Sequence, residues 1–205
     1  PFKNEPITSV SPLLMLLCKT VCGMNENSIY LSPAPLYHAA PLRFNMFCAA
    51  LGGTSIIMDK FDPEGYLAFV ERYRATTTQL VPTMFVRMLK LPEEVRAKYD
   101  VSSLTSAIHA AAPCPIEVKQ KMIDWWGPIL VEYYAGTEGN GITIVNSADW
   151  LTHRGTVGRP LAGQIKILGP NFEELPPGEI GTIYFAEGQE FKYHNDPDKT
   201  RAAYS

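Results

Sequence analysis

The sequence predicts an α/β fold with a mostly parallel sheet and flanking helices, followed by a small β-rich, barrel-like layer. Up to Gly141, short apolar or β-branched runs alternate with segments of helical length, which is typical of parallel sheets built from right-handed crossovers. Beyond Gly141 the apolar runs are short, lie between Gly and Pro turns, and show no helix between the last two. We therefore predict an α/β lobe over residues 1–141 and a β-rich subdomain over residues 142–205.

Local start and stop signals set the expected elements of the lobe. Gly23 and the pair Gly52-Gly53 end helices, whereas Pro63 and Pro115 open them. We predict helices over 8–24, 38–51, 63–74, 84–89 and 115–126, and strands at 29–31, 54–58, 76–81, 106–110 and from 129 onward. In the second part, strands are predicted over 142–145, 164–168 and 179–186, with turns at 158–160 and 176–179.

Composition narrows the class of partner. The 205 residues are 46% hydrophobic and carry a net charge of −3 without a basic run, which argues against a nucleic-acid or anionic-membrane surface. The most apolar run, from Leu13 to Cys18, is far shorter than the roughly 20 residues that a membrane span needs. The four cysteines have no zinc-type or redox spacing, so we interpret them as reduced packing residues and expect a cytoplasmic location.

The stretch from Ile129 to Gly141 begins as an apolar strand and ends in a glycine-rich polar turn. It places Thr137 and Glu138 where the strand leaves the sheet, and ligands of open α/β sheets bind at that edge. A Thr hydroxyl donates to phosphate oxygens, a Glu carboxylate is a hard ligand suited to magnesium, and flanking glycines allow close approach of a ligand. These residue types indicate phosphate chemistry, with a tight turn carrying a solvated Glu as the alternative.

Several segments resemble motifs of the adenylate-forming superfamily, which includes acyl-CoA synthetases, luciferases and peptide-synthetase adenylation domains. Residues 134–138, Tyr-Ala-Gly-Thr-Glu, are similar to its Tyr-Gly-x-Thr-Glu signature. Residues 35–38 (Pro-Leu-Tyr-His), 110–113 (Ala-Ala-Ala-Pro), 157–160 (Val-Gly-Arg-Pro) and 175–181 (Leu-Pro-Pro-Gly-Glu-Ile-Gly) follow the family's order and approximate spacing. Residues 192–200 resemble its Gly-Tyr-Trp-Asn-x-Pro-x-x-Thr segment, with Lys192 in place of the first Gly. The resemblance covers essentially the whole chain.

The resemblance implies a site for ATP and AMP. Small residues would lie along the adenine, Tyr134 would stack on it, and the turn that follows would contact phosphate. Thr137 would donate to the α-phosphate and Glu138 would hold magnesium, which makes these two the catalytic candidates. The implied nucleotide-binding residues are Ala110, Ala111, Ala112, Pro113, Tyr133, Tyr134, Ala135, Gly136 and Thr137. Ala110 stands where the family has Gly, which is tolerable if its φ is negative.

The resemblance also implies a pocket for the acyl group of the substrate. His38 would border that pocket, and apolar neighbours suit a hydrocarbon acid. The implied lining residues are His38, Ala39, Phe44, Ala111, Tyr133 and Ala135. A satisfied core histidine is the alternative for His38, and core packing is the alternative for Tyr133.

The family pattern implies an AMP-forming acyl-CoA synthetase, which activates a fatty or other hydrocarbon acid with ATP and transfers it to coenzyme A. Its Gly-rich phosphate loop is expected before residue 1, and its ribose-binding Asp and catalytic Lys beyond Ser205. We therefore expect an internal fragment that is inactive alone and self-associates through truncated edges. A peptide-synthetase adenylation domain and a non-catalytic binding module of the same fold are the alternatives.

Overall fold

The computed structural model describes residues 12–187 and 190–204, which form two compact units. The first unit comprises Pro1–Glu132 and Asn146–Thr156, and the second comprises Tyr133–Val145 and Val157–Ser205. The first four residues of the predicted helix over 8–24 lie outside the described residues. Among the helices of the described residues, none combines the length and apolar character that crossing a membrane requires.

A parallel sheet forms the centre of the first unit, as the alternating pattern predicts. Its strands run in the order β2-β1-β3-β4-β5. They are β1 (Ile29–Ser32), β2 (Thr54–Ile57), β3 (Thr77–Leu80), β4 (Ser106–His109) and β5 (Leu130–Ala135), whose last three residues belong to the second unit. All four residues of β3 and all four of β4 are buried, as expected for strands covered on both faces.

Seven helices accompany this sheet in the described part of the first unit, and local signals fix several of their ends. The Asp62 side chain accepts a hydrogen bond from the Gly65 N–H at 2.7 Å, with Pro63 in the first helical turn. Gly127 ends a later helix with φ at 83°. The helices are α1 (Pro12–Thr20), α2 (Ala39–Ala50), α3 (Pro63–Tyr73), α4 (Pro82–Leu89), α5 (Glu93–Arg96), α6 (Ile116–Trp126) and α7 (Ser147–Thr152).

Aromatic side chains fill the core between the helices and the sheet. The Trp126 ring stacks on Tyr66 and meets the edge of Phe85, both at centroid distances of 6.1 Å. Three cysteines, Cys18, Cys22 and Cys48, are buried, and none of the four cysteines forms a disulfide, which confirms them as free thiols. Burial raises the pKa of Cys18 and Cys22 to about 12.

A salt bridge lies inside this apolar core. The Lys119 ammonium on α6 donates to a carboxylate oxygen of Glu132 on β5 at 2.6 Å, and both side chains are almost fully buried. The ammonium also lies 5.0 Å from the centroid of the Trp150 ring on α7. In addition, the Ser147 hydroxyl donates to the Leu130 carbonyl and accepts from the Leu130 N–H. These polar contacts join α6, α7 and β5.

The second unit is rich in antiparallel strands. Strand β6 (Ile142–Asn146) pairs with β7 (Arg159–Ala162), with an irregular register after Ile142. Strand β8 (Gln164–Leu168) pairs over its full length with β9 (Thr182–Ala186), and helix α8 (Pro197–Ala202) follows. No helix lies between β8 and β9 in the described residues, as the Gly and Pro turns predict.

Four short elements differ from the sequence-based expectation. Residues 93–96 form α5 within a predicted polar connection, and α7 and α8 occupy segments without a predicted helix. Asn146 and Asp196 cap α7 and α8 through their side chains, which offsets the short length of these helices. The predicted turn at 158–160 is only partly correct: Gly158 has φ of 94°, but β7 begins at Arg159.

The buried charge pair has a measurable consequence for stability. We expect Lys119→Met to lower the free energy of unfolding by about 3–5 kcal/mol, because Glu132 would remain as an unpaired buried charge. Urea unfolding of the 205-residue chain, followed by fluorescence of the buried Trp126 and Trp150, measures this change.

The double variant Lys119→Met/Glu132→Leu tests the cause. It should recover most of the loss, because an apolar pair needs no charge compensation. Lys166→Met serves as the matched control, since it breaks the far more exposed Lys166–Glu174 bridge and should cost less than about 1 kcal/mol. A double variant as unstable as Lys119→Met alone would contradict this interpretation.

Candidate functional site

The first group of predicted residues follows β4. Ala110 is buried at the end of this strand, whereas Ala111, Ala112 and Pro113 are exposed in the loop that leads to α6. Ala110 is not among the residues with positive φ, so the methyl group in place of Gly is accommodated. Ala111 instead has φ of 75°, a backbone conformation that costs a non-glycine residue of order 1–3 kcal/mol. The loop is exposed, lined by small side chains and locally strained.

A cluster of buried ionisable side chains lies directly beneath this loop. His109, the last residue of β4, is fully buried, and its Nε2 atom lies 3.8 Å from a carboxylate oxygen of Glu132. Burial, together with the nearby Lys119 charge, lowers the pKa of His109 to about 3. The imidazole is therefore neutral near pH 7, and the contact with Glu132 is not an ion pair. The charge of Glu132 is compensated by Lys119, at 2.6 Å.

The predicted acyl-pocket residues after β1 divide into two environments. His38 is exposed at the start of α2, and its ring centroid lies 4.5 Å from that of Tyr37. Ala39 is half-buried in the first turn of the helix. Phe44 is 5% exposed and packs against Tyr30 and Phe47. Within the predicted set, His38 and Ala39 are thus accessible, whereas Phe44 belongs to the core.

The predicted phosphate turn lies in the second unit. Tyr133 is half-buried, whereas Tyr134, Ala135, Gly136, Thr137 and Glu138 are exposed. The Tyr134 ring stacks on Phe185 of β9 with a centroid distance of 6.1 Å and an interplanar angle of 22°. One face of the Tyr134 ring therefore packs on Phe185, and the residue as a whole is 42% exposed. A planar ligand can use the opposite face.

The absence of a side chain at Gly136 leaves space for oxygen atoms. A Cβ atom at this position would lie 2.9 Å from Oε2 of Glu138 and 3.2 Å from Oδ1 of Asn140. Both oxygens thus converge on the volume that any larger residue would fill. A carboxylate and an amide oxygen at one point are suitable ligands for a hard cation such as Mg²⁺.

Glu138 is held in its ionised form. Its own backbone N–H and the Tyr193 hydroxyl, whose oxygen lies 3.0 Å from Oε1, lower the pKa of Glu138. The described residues contain no group of three or more His, Cys, Asp or Glu side chains that could bind a metal by themselves. Mg²⁺ is commonly bound by one or two carboxylates together with substrate phosphates and water, so a single Glu fits a metal that arrives with a nucleotide.

Several residues of the buried ionisable cluster and of the turn around Glu138 are absent from the sequence-based prediction of the site. Lys119 lies three residues from both Ile116 and Met122, on the apolar face of α6, and this position signals a buried lysine that needs a partner. The contribution of Asn140 follows from its position two residues after Glu138 in the same turn. The contact between Tyr193 and Glu138 spans 55 residues and has no local signal in the sequence.

A surface cleft of about 720 Å³ lies elsewhere in the first unit, between α4, α5 and α6. Its lining mixes basic and acidic side chains with the Trp125 ring, and Arg96 lies over that ring. None of its lining residues belongs to the predicted site.

The chain is similar to one described protein family and to several known proteins over most of its length. The model of the family described as AMP-binding enzyme matches residues 8–192. A feruloyl-CoA synthase from Amycolatopsis sp is 34% identical over 191 residues, covering 90% of this chain and 38% of that protein. A long-chain-fatty-acid–CoA ligase from Bacillus subtilis is 32% identical over 172 residues, covering 82% of this chain and 30% of that protein.

A solved structure shows the same fold. The amide bond synthetase McbA from Marinactinospora thermotolerans superimposes with a TM-score of 0.77 at 22% identity, covering 94% of this chain and 40% of that one. The chain spans about two fifths or less of the length of each of these proteins.

The stacked pair of Tyr134 and Phe185 depends on Gly141. A Cβ atom at this position would overlap the Phe185 ring. We expect Gly141→Ala to displace that ring and to destabilise the second unit by about 1–3 kcal/mol, as overpacking does. Urea unfolding of the chain, monitored by near-ultraviolet circular dichroism of the tyrosines, measures the change.

A double-mutant cycle provides the control for this prediction. Phe185→Leu removes the obstructing ring. The losses of unfolding free energy caused by Phe185→Leu and by Gly141→Ala should therefore be strongly non-additive in the double variant. Additive losses would show that the two positions do not meet.

Proposed function

The chain belongs to the AMP-binding enzyme family, and we propose that it is part of an AMP-forming ligase that activates a carboxylic acid with ATP and transfers the acyl group to coenzyme A. The observation that carries this proposal is the segment from Tyr134 to Asn140, where the end of β5 and the turn after it carry a stacking ring, a hydroxyl and two converging oxygen atoms. Because the chain spans only part of its relatives, the activity is proposed for the complete protein.

In this proposal each exposed residue of the turn has a distinct role. The free face of Tyr134 stacks on the adenine, a contact worth about 1–3 kcal/mol. The Thr137 hydroxyl donates to an α-phosphate oxygen, and Gly136 keeps the space beside the phosphate open. For the first unit we propose that the small side chains of Ala110, Ala111, Ala112 and Pro113 leave room for a base. For the second unit we propose that Tyr133 and Ala135 border base and acyl group.

Glu138, assisted by Asn140, would hold Mg²⁺. Bound there, the ion would offset the negative charge that develops when a carboxylate attacks the α-phosphate. Glu138 is ionised at neutral pH, as a ligand must be, and the hydrogen bonds that lower its pKa favour the same charged form. Fixed donors and a fixed carboxylate need no reorganisation during the reaction, and such preorganised electrostatic terms are usually the largest in catalysis.

The acid is proposed to be a hydrocarbon acid that is either fatty or aromatic. Two relatives are named for feruloyl and long-chain fatty acyl groups, one as a CoA synthase and the other as a CoA ligase. These names favour coenzyme A as acceptor over the carrier of a peptide synthetase. His38 and Ala39 are the accessible candidates for the acyl pocket after β1, and Ala111 is the candidate in the loop after β4.

The isolated chain is expected to be inactive, because the family's phosphate loop and catalytic Lys do not match any of its segments. A cytoplasmic location is proposed because the cysteines are free thiols.

Replacement of Glu138 tests the proposed function. In the complete protein, Glu138→Ala should slow acyl-adenylate formation about 10²- to 10³-fold, because it removes a ligand to the charge-stabilising ion. Pyrophosphate exchange measures this step. The matched control, Glu179→Ala, alters an exposed carboxylate of the same unit and should leave exchange unchanged. If Glu138→Ala exchanged pyrophosphate at the wild-type rate, Glu138 would not be the proposed magnesium ligand.

The size of the acyl pocket is tested at Ala39. Ala39→Trp should shift the preferred acid towards shorter chains, because the larger side chain would fill space next to His38. Values of kcat/KM across a series of straight-chain acids measure the shift. Ala50→Trp, at the exposed far end of the same helix, is the control. If Ala39→Trp left the preferred chain length of the acid unchanged, Ala39 would not line the acyl pocket and its role would be ordinary helix packing.

A further inference from the structure

The segment Phe191–Tyr204, which we term the terminal clasp, contains the family-like motif at residues 192–200. Hydrogen bonds between its own residues close it into a loop. The Tyr204 hydroxyl accepts from the Phe191 N–H at 2.7 Å and donates to the Phe191 carbonyl at 2.8 Å. Thr200 donates to the Asp196 carbonyl and accepts from the Tyr193 N–H. These bonds close a short loop around α8 and fix the backbone of Tyr193.

The Tyr193 ring is also held on two sides. The Phe191 ring meets it in a T-shaped contact at 5.4 Å, and the Lys199 ammonium lies 4.3 Å from its centroid. A ring with a fixed backbone and two neighbours has little freedom to turn. Its hydroxyl is therefore presented in one direction.

That direction leads to Glu138. The Tyr193 hydroxyl donates to Oε1 of Glu138 at 3.0 Å, while Oε2 lies beside Gly136. An exposed glutamate normally samples several rotamers and loses that freedom when it binds a ligand. Here the hydroxyl fixes one oxygen, and the remaining lone pairs of the carboxylate stay available.

We propose that Tyr193 is a positioning residue for Glu138, and that the terminal clasp exists to hold its hydroxyl against the carboxylate. The inference rests on the proposed role of Glu138 in holding Mg²⁺ with ATP. Lys199 contributes by packing on the Tyr193 ring and by adding positive charge near the carboxylate. Hydrogen-bond partners of metal ligands typically change metal affinity or activity 10- to 100-fold when they are removed.

The decisive variant is Tyr193→Phe in the complete protein, because it keeps both ring contacts and deletes only the hydroxyl. We expect the dissociation constant for Mn²⁺ to rise about tenfold. Electron paramagnetic resonance measures this constant in the presence of an ATP analogue that has a methylene bridge between its α- and β-phosphates. The Mg²⁺ concentration for half-maximal pyrophosphate exchange should rise in parallel, with a smaller change in the rate at saturating Mg²⁺.

Two further variants separate positioning from a structural role. Tyr184→Phe alters a tyrosine of β9 that packs near Phe172 and should leave Mn²⁺ affinity unchanged. Tyr204→Phe loosens the terminal clasp and should lower the thermal unfolding midpoint, which Tyr193→Phe should leave unchanged. If Tyr193→Phe and Tyr204→Phe lowered the unfolding midpoint equally and also weakened Mn²⁺ binding equally, the role of Tyr193 would be structural. That outcome would overturn the inference.

Glu138→Ala distinguishes the inference from the function on which it rests. If Glu138→Ala weakens Mn²⁺ binding and exchange while Tyr193→Phe matches the wild type, the positioning role is wrong and the proposed function stands. If Glu138→Ala changes neither measurement, the proposed metal role fails and the inference fails with it.

Discussion

A buried ammonium and a buried carboxylate are tolerated in a protein core only when each compensates the other, and Lys119 and Glu132 meet this condition at 2.6 Å inside an aromatic core. Their bridge joins α6 to β5, and Trp150 brings α7 to the same ammonium. The strained loop at Ala111 leads into α6, and the turn that carries Glu138 follows β5. The charge pair thus joins, within the first unit, the helix after that loop to the strand before that turn.

Much of the fold is predictable from the sequence because its signals are local. The β-branched and apolar runs of β3 and β4, and the Pro and Gly positions around α3 and α6, report backbone preferences directly. The short elements are harder. Strand β7 contains Pro160, a residue depleted in strands, and it pairs with an irregular register. Helices α7 and α8 are too short for periodicity to be visible, although the Asp196-Pro197 pair is a recognisable helix start.

The candidate site is predictable to a lesser extent. The turn at residues 136–138 is contiguous, so its residue types alone indicate phosphate chemistry. Contacts that depend on distant parts of the chain are invisible in the sequence: Phe185 beneath Tyr134, and Tyr193 beside Glu138. Phe44 shows the opposite case. It matches the apolar character expected of an acyl pocket, but tertiary packing places it between Tyr30 and Phe47 in the core.

The buried thiols have a consequence for how opening of the first unit can be followed. Only a thiolate reacts readily with alkylating reagents, and burial raises the pKa of Cys18 and Cys22 to about 12. Near neutral pH these side chains are thus shielded both by their surroundings and by their own protonation. Once the surrounding core opens, their pKa returns towards that of free cysteine and the reactive fraction rises steeply. The rate of alkylation at these native cysteines therefore records how often the helical layer of the first unit exposes its interior, without an engineered label.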